Sequence, residues 1–492
     1  MICPVFPHMR HYQPPALAFL LGVVALGALT WVGFVYFDND ALYADVARTM
    51  VTTGDWLNPN IHGVAFLDKP PLYFWVLAAF ISVLGESVAV LRAPAVLAGA
   101  MTLAVCAAAA SDPDEDSASP VLAVLMVLAV PLFVGYCRRV YMEVPVALCV
   151  IGAIVAYDRG SRDRRWYLVA GAIVGCGFMI KSLVGLFGVI PFGALILLRR
   201  RWDVLRDPWF WAGAGVCALL VVPWHAYQLA ANTDVFLEFT WKLHVEKQIL
   251  EAQPWSTGPP WFYLEALVVH APVLGLCVLV GVGRVVYLLA RRRSVPDLDL
   301  HLLLALGVML AVFSASETKK LLYLIVIVAP AAVLAARALP ALLPKRAYVW
   351  ATVVVLLLLS IRSVPFYLPD GDFLQGNTAN VQIDVGRAAG AAAGPQDTVY
   401  VLDNYFSTIQ FEARRPSVSY WRNQTLVAQT QRIPYIQHGK NMRSVPPEGR
   451  PALMTKAQPG LWVLRTADYD AMQRALPDSL FRDDHFVLID TR

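Results

Sequence analysis

The chain has 492 residues, of which 58% are hydrophobic and only 15% are charged. Its mean hydropathy of +0.55 is too high for a water-soluble domain of this size, so the composition predicts a polytopic membrane protein. The net charge of +4 comes from arginine clusters in short loops, which indicate membrane topology and argue against a nucleic-acid partner.

Apolar runs that are candidates for membrane spans recur through most of the chain before its C-terminal part. The predicted spans are 16–37, 92–110, 120–137, 144–157, 166–180, 183–198, 209–224, 261–283, 301–313, 321–338 and 347–362. Segment 70–84 is also apolar, but its roughly 15 residues reach only about 22 Å as a helix, and the hydrocarbon core is about 30 Å thick. We therefore expect it to be a tilted or re-entrant helix in the outer leaflet.

Basic residues cluster in four places that are separated from one another by pairs of predicted spans, namely 159–165, 199–206, 291–293 and 337–346. The positive-inside rule makes all four clusters cytoplasmic and gives about eleven crossings. Residues 1–362 then form the membrane domain, with a first outer loop at 38–91, and residues 363–492 form a soluble domain outside the membrane.

The C-terminal part has the mixed pattern of a small α/β domain. Strands are predicted at 398–402, 461–465 and 485–490, and helices near 379–393 and 468–476. The predicted fold class is therefore an all-α polytopic membrane protein with a small C-terminal α/β extracytoplasmic domain.

The first outer loop begins with a charged and aromatic run directly after the first apolar segment. Tyr43, Val46, Ala47 and Met50 follow the i, i+3, i+4, i+7 spacing of an amphipathic helix, which we expect to lie on the membrane over residues 40–53. Charge so close to hydrocarbon is costly unless it faces water or a functional site. This loop is therefore the first candidate for chemistry.

Asp38, Asn39 and Asp40 stand just before this helix. One such residue is enough to cap a helix N-terminus, so we expect at least one of the two aspartates to act in catalysis or metal binding. A carboxylate at a membrane surface can deprotonate an acceptor hydroxyl or hold a divalent cation such as Mg²⁺, Mn²⁺ or Zn²⁺. The sequence leaves open which aspartate is the base.

The predicted topology also brings several lysines to the outer face. Lys181 interrupts an apolar stretch near the outer turn of a helical hairpin, and Lys319 and Lys320 precede Tyr323 in another outer loop. An isolated lysine in such a place favours an anionic ligand, and phosphate is the anion that several converging cations would bind. Lys69 has two possible roles. It could bind a lipid phosphate, or its side chain could simply extend to the membrane surface beside a helix that starts with proline.

Glu143 follows Arg138 and Arg139 at the outer end of a span. These residues could form a local salt bridge. Alternatively, Glu143 faces the first outer loop as a second carboxylate, where it would orient a base or bind a metal. His244 could be a further metal ligand, although no zinc motif surrounds it.

Several short motifs occur together, in order, over about the first 330 residues. They are DNDALYADVARTMVTTGDWLNPNIHGVAFLDKPPLYFW from residue 38, VYMEVP at 140–145, GFMIKSLVGL at 177–186, PPWFYL at 259–264 and FSASETKKLLY at 313–323. In this combination the sequence resembles GT-C glycosyltransferases of the lipid A aminoarabinose transferase and protein O-mannosyltransferase type.

The resemblance implies transfer of a sugar from a polyprenyl-phosphate donor to a lipid A, glycolipid, polysaccharide or protein acceptor at the outer face of a bacterial inner membrane. It implies that Asp38 or Asp40 is the catalytic carboxylate and that Glu143 is the second acidic position. The remaining implied roles are phosphate binding by Lys69, Lys181, Lys319 and Arg139, and lining of the substrate cavity by Tyr43, His244 and Tyr323. A divalent metal, where one is used, would be held by Asp40, Glu143 and His244.

The chemistry expected from these residues is a single displacement with inversion at the anomeric carbon, in which an aspartate takes the proton of the acceptor hydroxyl. A transporter or flippase for polyprenyl-linked glycans is the competing class. Transporters commonly carry charges deep in their spans and show two related halves, whereas here the charges gather at one face and no half-repeat is visible. A non-catalytic scaffold would leave the converging lysines unexplained.

Overall fold

The structure of the chain is a computed structural model. It describes residues 13–27, 39–61, 64–111, 119–237, 258–339, 377–402, 407–421, 442–444 and 450–492. The predicted span 347–362, the end of the predicted span 16–37 and the domain boundary at 362/363 lie outside these residues. Two predicted site residues, Asp38 and His244, also lie outside them.

Helices make up nearly all of the described membrane part. In chain order they are α1 (Gln13–Gly27), α2 (Asn39–Thr53), α3 (Leu72–Leu84), α4 (Val88–Ala110), α5 (Ser119–Leu128), α6 (Pro131–Cys137), α7 (Glu143–Gly160), α8 (Trp166–Lys181), α9 (Ile190–Arg199), α10 (Trp202–Leu205), α11 (Pro208–Ala231), α12 (Thr233–Leu237), α13 (Phe262–His270), α14 (Pro272–Ala290), α15 (Asp297–Ala315) and α16 (Leu324–Ala338). Short 3₁₀ turns at Ser182–Gly188 and Leu321–Tyr323 precede α9 and α16. A small hairpin of β1 (Asn60–Ile61) and β2 (Val64–Ala65) lies between α2 and α3 in the chain.

Six helical stretches within the described residues are long and apolar enough to cross a membrane, or seven if the bent pair of α5 and α6 forms one span. This confirms a polytopic membrane protein, while the predicted total of about eleven crossings stays a prediction. α5 and α6 meet at 76° within the span predicted at 120–137, because Pro131 at the start of α6 cannot continue the preceding helix. Pro272 likewise divides the span predicted at 261–283 into α13 and α14.

The chain reverses direction between α8 and α9. A continuous helix would separate Tyr167 and Phe192 by about 37 Å, but the centroids of their rings are 6.3 Å apart. The turn begins at Ser182, whose φ is 42°, and a Cβ on Gly185 would meet the backbone of Gly177 at 2.2 Å. This apolar stretch of 34 residues is therefore folded into the predicted hairpin, with the end of α8 at its turn.

α2 forms where the amphipathic spacing predicts it. Its apolar positions Tyr43, Val46, Ala47 and Met50 are all buried and belong to the main hydrophobic core. Because these side chains pack against other helices of the protein, α2 is a fixed part of the scaffold. Any group at its first turn is therefore held in a fixed place.

α3 is the short apolar helix predicted from segment 70–84. It follows Pro71 and ends at Gly85, whose φ of 77° is in the left-handed region that favours glycine. Its 13 residues span about 20 Å, which is less than the thickness of the hydrocarbon core. This length fits a helix that does not cross the membrane alone.

The described C-terminal residues form a mixed α/β domain, as predicted. Its strands are β3 (Val399–Leu402), β4 (Ser417–Trp421), β5 (Met442–Ser444), β6 (Leu461–Arg465), β7 (Ser479–Arg482) and β8 (Phe486–Asp490), and its longer helices are α17 (Asn377–Ala392), α18 (Ser407–Ala413) and α19 (Thr466–Met472). The strand order is β5-β4-β3-β6-β8-β7. β5, β4, β3 and β6 are parallel, and β8 is antiparallel to both β6 and β7. The three predicted strands and both predicted helices are present, and buried apolar residues cover both faces of the sheet.

The C-terminal domain packs on α2 through α18. Arg48 of α2 donates two hydrogen bonds to Glu86, at 2.7 and 2.6 Å, and lies 3.3 Å from Asp45. In the C-terminal domain, the main-chain oxygen of Phe411 accepts a hydrogen bond from Arg48 at 2.8 Å. The centroid of the Phe411 ring lies 3.7 Å from the Arg48 guanidinium. Gln410 donates to Asp45 at 3.0 Å. One arginine thus joins α2, the loop after α3 and the C-terminal domain.

We expect Arg48→Ala to loosen the C-terminal domain. The change removes the ion pair of Arg48 with Asp45 and one of the two arginines that pair with Glu86, at a largely buried contact, and breaking a buried pair costs about 3–5 kcal/mol. The midpoint of thermal unfolding should fall, and a protease should cut the C-terminal domain faster. The control is Arg482→Ala, which removes an exposed ion pair worth about 0–1 kcal/mol. Equal behaviour of the two variants would contradict the contact.

Candidate active site at one end of the helix bundle

Asp40 lies in the first turn of α2 and is 1% exposed. Its Oδ2 accepts a hydrogen bond from Nε of Arg139 at 3.1 Å. The Arg139 guanidinium in turn lies over the ring of Tyr141, 4.6 Å from its centroid. Oδ1 of Asp40 is shielded from solvent and has no hydrogen-bond partner among the described residues. One carboxylate oxygen is thus fixed by an arginine, and the other remains available to a ligand.

Burial raises the pKa of the Asp40 carboxyl from 3.8 to about 6. The positive charges of Arg139 and, more weakly, Arg92 oppose this rise, whereas the negative charge of Glu143 adds to it. These charges therefore act on one another inside a single buried region. A carboxylate with a pKa near 6 is ionised at neutral pH and takes up a proton more readily than an exposed aspartate.

Glu143 is the first residue of α7, and Lys181 is the last residue of α8. Their side chains meet at 2.5 Å between Nζ and Oε1, and both are almost completely buried. The local salt bridge considered for Glu143 is therefore not the arrangement found, because Arg138 donates to the main-chain oxygens of α1 at Ala25 and Leu26. Glu143 instead pairs with a cation from the next helix.

These residues lie at one end of the helix bundle. α7 rises about 27 Å from Glu143 to the arginine cluster at 159–165, and α8 returns from that cluster to Lys181. The starts of α2 and α7 and the end of α8 therefore meet, as the predicted topology requires. The described basic clusters, at 159–165, 199–206 and 291–293, lie at the other end.

Two further lysines belong to the same cluster of charges. Lys69 forms an ion pair with the adjacent Asp68 at 2.9 Å. Burial, together with the positive charges of Lys69 and Lys181, lowers the pKa of Lys320 from 10.5 to about 8, while Asp68 and Glu143 act in the opposite sense. Lys320 is partly exposed. It can therefore meet a ligand that enters this region.

Lys319, the lysine to which the resemblance assigns phosphate binding, has a different environment from Lys320. Its ammonium donates to main-chain oxygens of the preceding turn, at Ser316, at Ser314 (2.7 Å) and at Phe313 (3.5 Å). These contacts close the loop between α15 and the 3₁₀ turn. The phosphate-binding role of Lys319 stays a prediction. Lys320 is the lysine of this loop on which the charges of the cluster act.

Aromatic rings form one wall of the region. Tyr43 contacts Phe66, Phe74 and Tyr141 edge to face, with ring centroids 5.7 to 6.4 Å apart. The ring of Tyr323 lies 5.1 Å from the ammonium of Lys181. The two tyrosines predicted to line the cavity therefore both border the charged cluster.

The sequence predicts a divalent metal site at Asp40, Glu143 and His244. Within the described ranges, no three His, Cys, Asp or Glu side chains converge. Asp40 and Glu143 each already bind a cationic side chain, and His244 lies outside the described residues. The metal role of these three residues stays a prediction, and we assign no step to a metal.

Sequence reasoning missed some members of the cluster. Arg92 gave no signal because it lies inside an apolar helix. Tyr73 and Tyr141 read as ordinary membrane aromatics. Asp68 directly precedes the lysine of the DKPP motif and is one of the charged residues of the first outer loop, but the sequence indicated no role for it.

A family profile described as dolichyl-phosphate-mannose-protein mannosyltransferase matches residues 68–227. The undecaprenyl phosphate-alpha-4-amino-4-deoxy-L-arabinose arabinosyl transferase of Pseudomonas aeruginosa is 30% identical over 319 residues, which are 62% of this chain and 56% of that protein. The enzyme of the same name from Yersinia pestis is 25% identical over 61% of this chain and 54% of its own length. The chain thus matches little more than half the length of these relatives.

The fold matches a solved structure over almost its whole length. The crystal structure of ArnT from Cupriavidus metallidurans bound to undecaprenyl phosphate superimposes with a TM-score of 0.74 at 17% identity, covering 97% of this chain and 98% of that one. The chain is therefore a membrane protein of the GT-C fold class. Its resemblance to glycosyltransferases of the aminoarabinose transferase type is confirmed in sequence and in fold.

We expect Glu143→Gln and Lys181→Met each to destabilise the protein, because each leaves a buried charge without its partner at a cost of about 3–5 kcal/mol. The double variant should lose less than the sum of the two, since it removes both charges. Thermal unfolding of the three variants in the same detergent measures the loss of stability in each. Arg482→Ala, which breaks an ion pair that is exposed at both partners, is the control. Additive losses would contradict the pairing.

Proposed function

We propose that the chain is a glycosyltransferase that moves a sugar from a polyprenyl-phosphate donor to an acceptor on the outer face of a bacterial inner membrane. The observation that carries the proposal is the buried ion pair of Glu143 with Lys181, together with the charges of Asp40 on one side and of Lys69 and Lys320 on the other that act on this pair. A carboxylate base beside converging cations is what sugar transfer from a lipid phosphate requires. The names of the relatives make an undecaprenyl-phosphate-linked amino sugar the first donor to test, with lipid A as the first acceptor.

The reaction is a single displacement. Asp40, held through Oδ2 by Arg139, accepts on Oδ1 the proton of the acceptor hydroxyl as the hydroxyl oxygen attacks the anomeric carbon. The bond from that carbon to the phosphate oxygen breaks, and its electron pair leaves with the lipid phosphate. One attack from the face opposite the leaving group gives inversion, in contrast to the covalent intermediate of retaining glycosidases.

The lysines stabilise the leaving phosphate. Charge that develops on the phosphate oxygens is neutralised by ammonium groups that are already in place in a region of low dielectric, so little reorganisation is needed during the reaction. Glu143 keeps Lys181 in position, since the pair is fixed at 2.5 Å. The lipid tail can stay in the hydrocarbon while the headgroup reaches the cluster at the end of the bundle.

This arrangement also supports the predicted location. The end of the bundle that carries the cluster is opposite the arginine clusters, which the positive-inside rule assigns to the cytoplasm. The C-terminal domain packs on α2 at the same end as the cluster. The domain is therefore periplasmic in this proposal.

Asp40→Asn is expected to lower the rate of transfer about 10²- to 10⁴-fold, because it removes the base. The activity of the unsubstituted protein should rise with pH through about 6, the pKa at which Asp40 becomes ionised. Formation of radiolabelled lipid A from a radiolabelled undecaprenyl-phosphate amino sugar, in nanodiscs, measures the transfer rate and its dependence on pH. Asp470→Asn, at the surface of the C-terminal domain, is the control.

Two outcomes would overturn this proposal. One is full activity in Asp38→Asn, Asp40→Asn and Glu143→Gln at normal expression, which would remove acid–base catalysis by these residues. The other is movement of the labelled donor from one leaflet to the other without transfer, which would favour a flippase.

Binding of undecaprenyl phosphate should weaken as the pH rises through about 8, because Lys320 then loses its charge while the phosphate, with a second pKa of about 6, stays fully ionised. Lys320→Gln should weaken binding about 10- to 100-fold at pH 7 and remove this pH dependence. Native mass spectrometry or fluorescence titration in detergent gives the affinities. Lys456→Gln in the C-terminal domain is the control, and an unchanged pH profile in Lys320→Gln would refute the role.

A further inference from the structure

Tyr73, the second residue of α3, carries a polar atom that the fold leaves unused. The residue is 2% exposed, and its hydroxyl is shielded from solvent without a hydrogen-bond partner among the described residues. A buried hydroxyl without a partner is costly, so native structures rarely keep one that has no purpose. Phenylalanine would fill the same space without this cost.

The position of Tyr73 explains what the hydroxyl can meet. α3 packs on α2, where the ring of Phe74 contacts that of Tyr43. The hydroxyl of Tyr73 lies in the electrostatic field of Asp40 and Glu143. This hydroxyl and the two carboxylates are therefore close enough for their charges to act on one another.

The same region holds a second unused atom, Oδ1 of Asp40. The two atoms are complementary, since the phenol is a hydrogen-bond donor and the carboxylate oxygen is an acceptor. A single hydroxyl group placed between them would satisfy both, because it can donate to Oδ1 and accept from the phenol. An oxygen atom shared in this way is held in one orientation.

We infer that Tyr73 and Asp40 together bind the attacking hydroxyl of the acceptor. This inference rests on the proposed glycosyltransferase function and adds a residue that contacts substrate. The hydroxyl gives its proton to Asp40 Oδ1 while its oxygen forms the new bond to the anomeric carbon, and the carbon–phosphate oxygen bond breaks with its electrons leaving on the phosphate. Tyr73 keeps its own proton throughout. Its hydroxyl donates a hydrogen bond to one lone pair of the acceptor oxygen, so that another lone pair of that oxygen faces the anomeric carbon.

The test is Tyr73→Phe, compared with Tyr157→Phe as a control. Tyr157 is a buried tyrosine in α7 that stacks on Phe192, far from the cluster. In Tyr73→Phe we expect kcat to fall about 10- to 100-fold. The KM for the lipid donor and the affinity for undecaprenyl phosphate should stay within about twofold, because the lysines that bind phosphate are untouched. Thermal stability should be unchanged or higher, since the variant removes a hydroxyl that has no partner.

The outcomes separate the inference from the proposal on which it rests. If the unsubstituted protein and Tyr73→Phe transfer sugar equally fast, Tyr73 only packs and the inference fails while the function stands. If Tyr73→Phe is less stable as well as less active, the hydroxyl has a structural partner and the inference fails too. Should no transfer occur with the unsubstituted protein, a cryo-EM structure still decides. A bound oxygen between Asp40 Oδ1 and the Tyr73 hydroxyl supports the inference, and a protein partner for that hydroxyl overturns it.

Discussion

Pairing of buried charges between different helices is the constraint on which the rest of this structure depends. In a region of low dielectric an ionised side chain without a partner costs several kcal/mol, so each carboxylate needs a cation and each cation a carboxylate or a ligand. Here the partners come from distant parts of the chain, with Asp40 bound by Arg139 and Glu143 by Lys181. The pairs fix how the ends of α2, α7 and α8 meet, and they also orient the groups available for chemistry.

The cluster combines two kinds of charge with separate uses. On one side, burial gives Asp40 the proton affinity of a base that can act near neutral pH. On the other side, crowding of ammonium groups and burial make Lys320 ready to lose its proton, so an incoming dianion relieves a repulsion that exists in the free protein. A phosphorylated lipid would thus stabilise the arrangement that binds it.

The sequence predicted much of this, for identifiable reasons. The helix α2 and the strands β3, β6 and β8 follow from periodicity, which is a local property. The meeting of Asp40, Glu143 and Lys181 follows from topology, because arginine clusters fix which helix ends share a side. The choice between Lys319 and Lys320 depends on how one loop closes on its own main chain, and neighbouring lysines look alike in sequence. Arg92 and Tyr73 owe their places to packing across helices, which no local pattern reveals.

The contact around Arg48 also bears on how this protein can be divided. Phe411 and Gln410 contact Arg48 and Asp45, which stand about one to two turns after Asp40 on the same helix. The C-terminal domain therefore does not stand apart from α2, and the membrane part alone would carry Arg48 and Asp45 without the contacts that Phe411 and Gln410 provide. A gene split between the two parts should yield a working protein only when both fragments are made together.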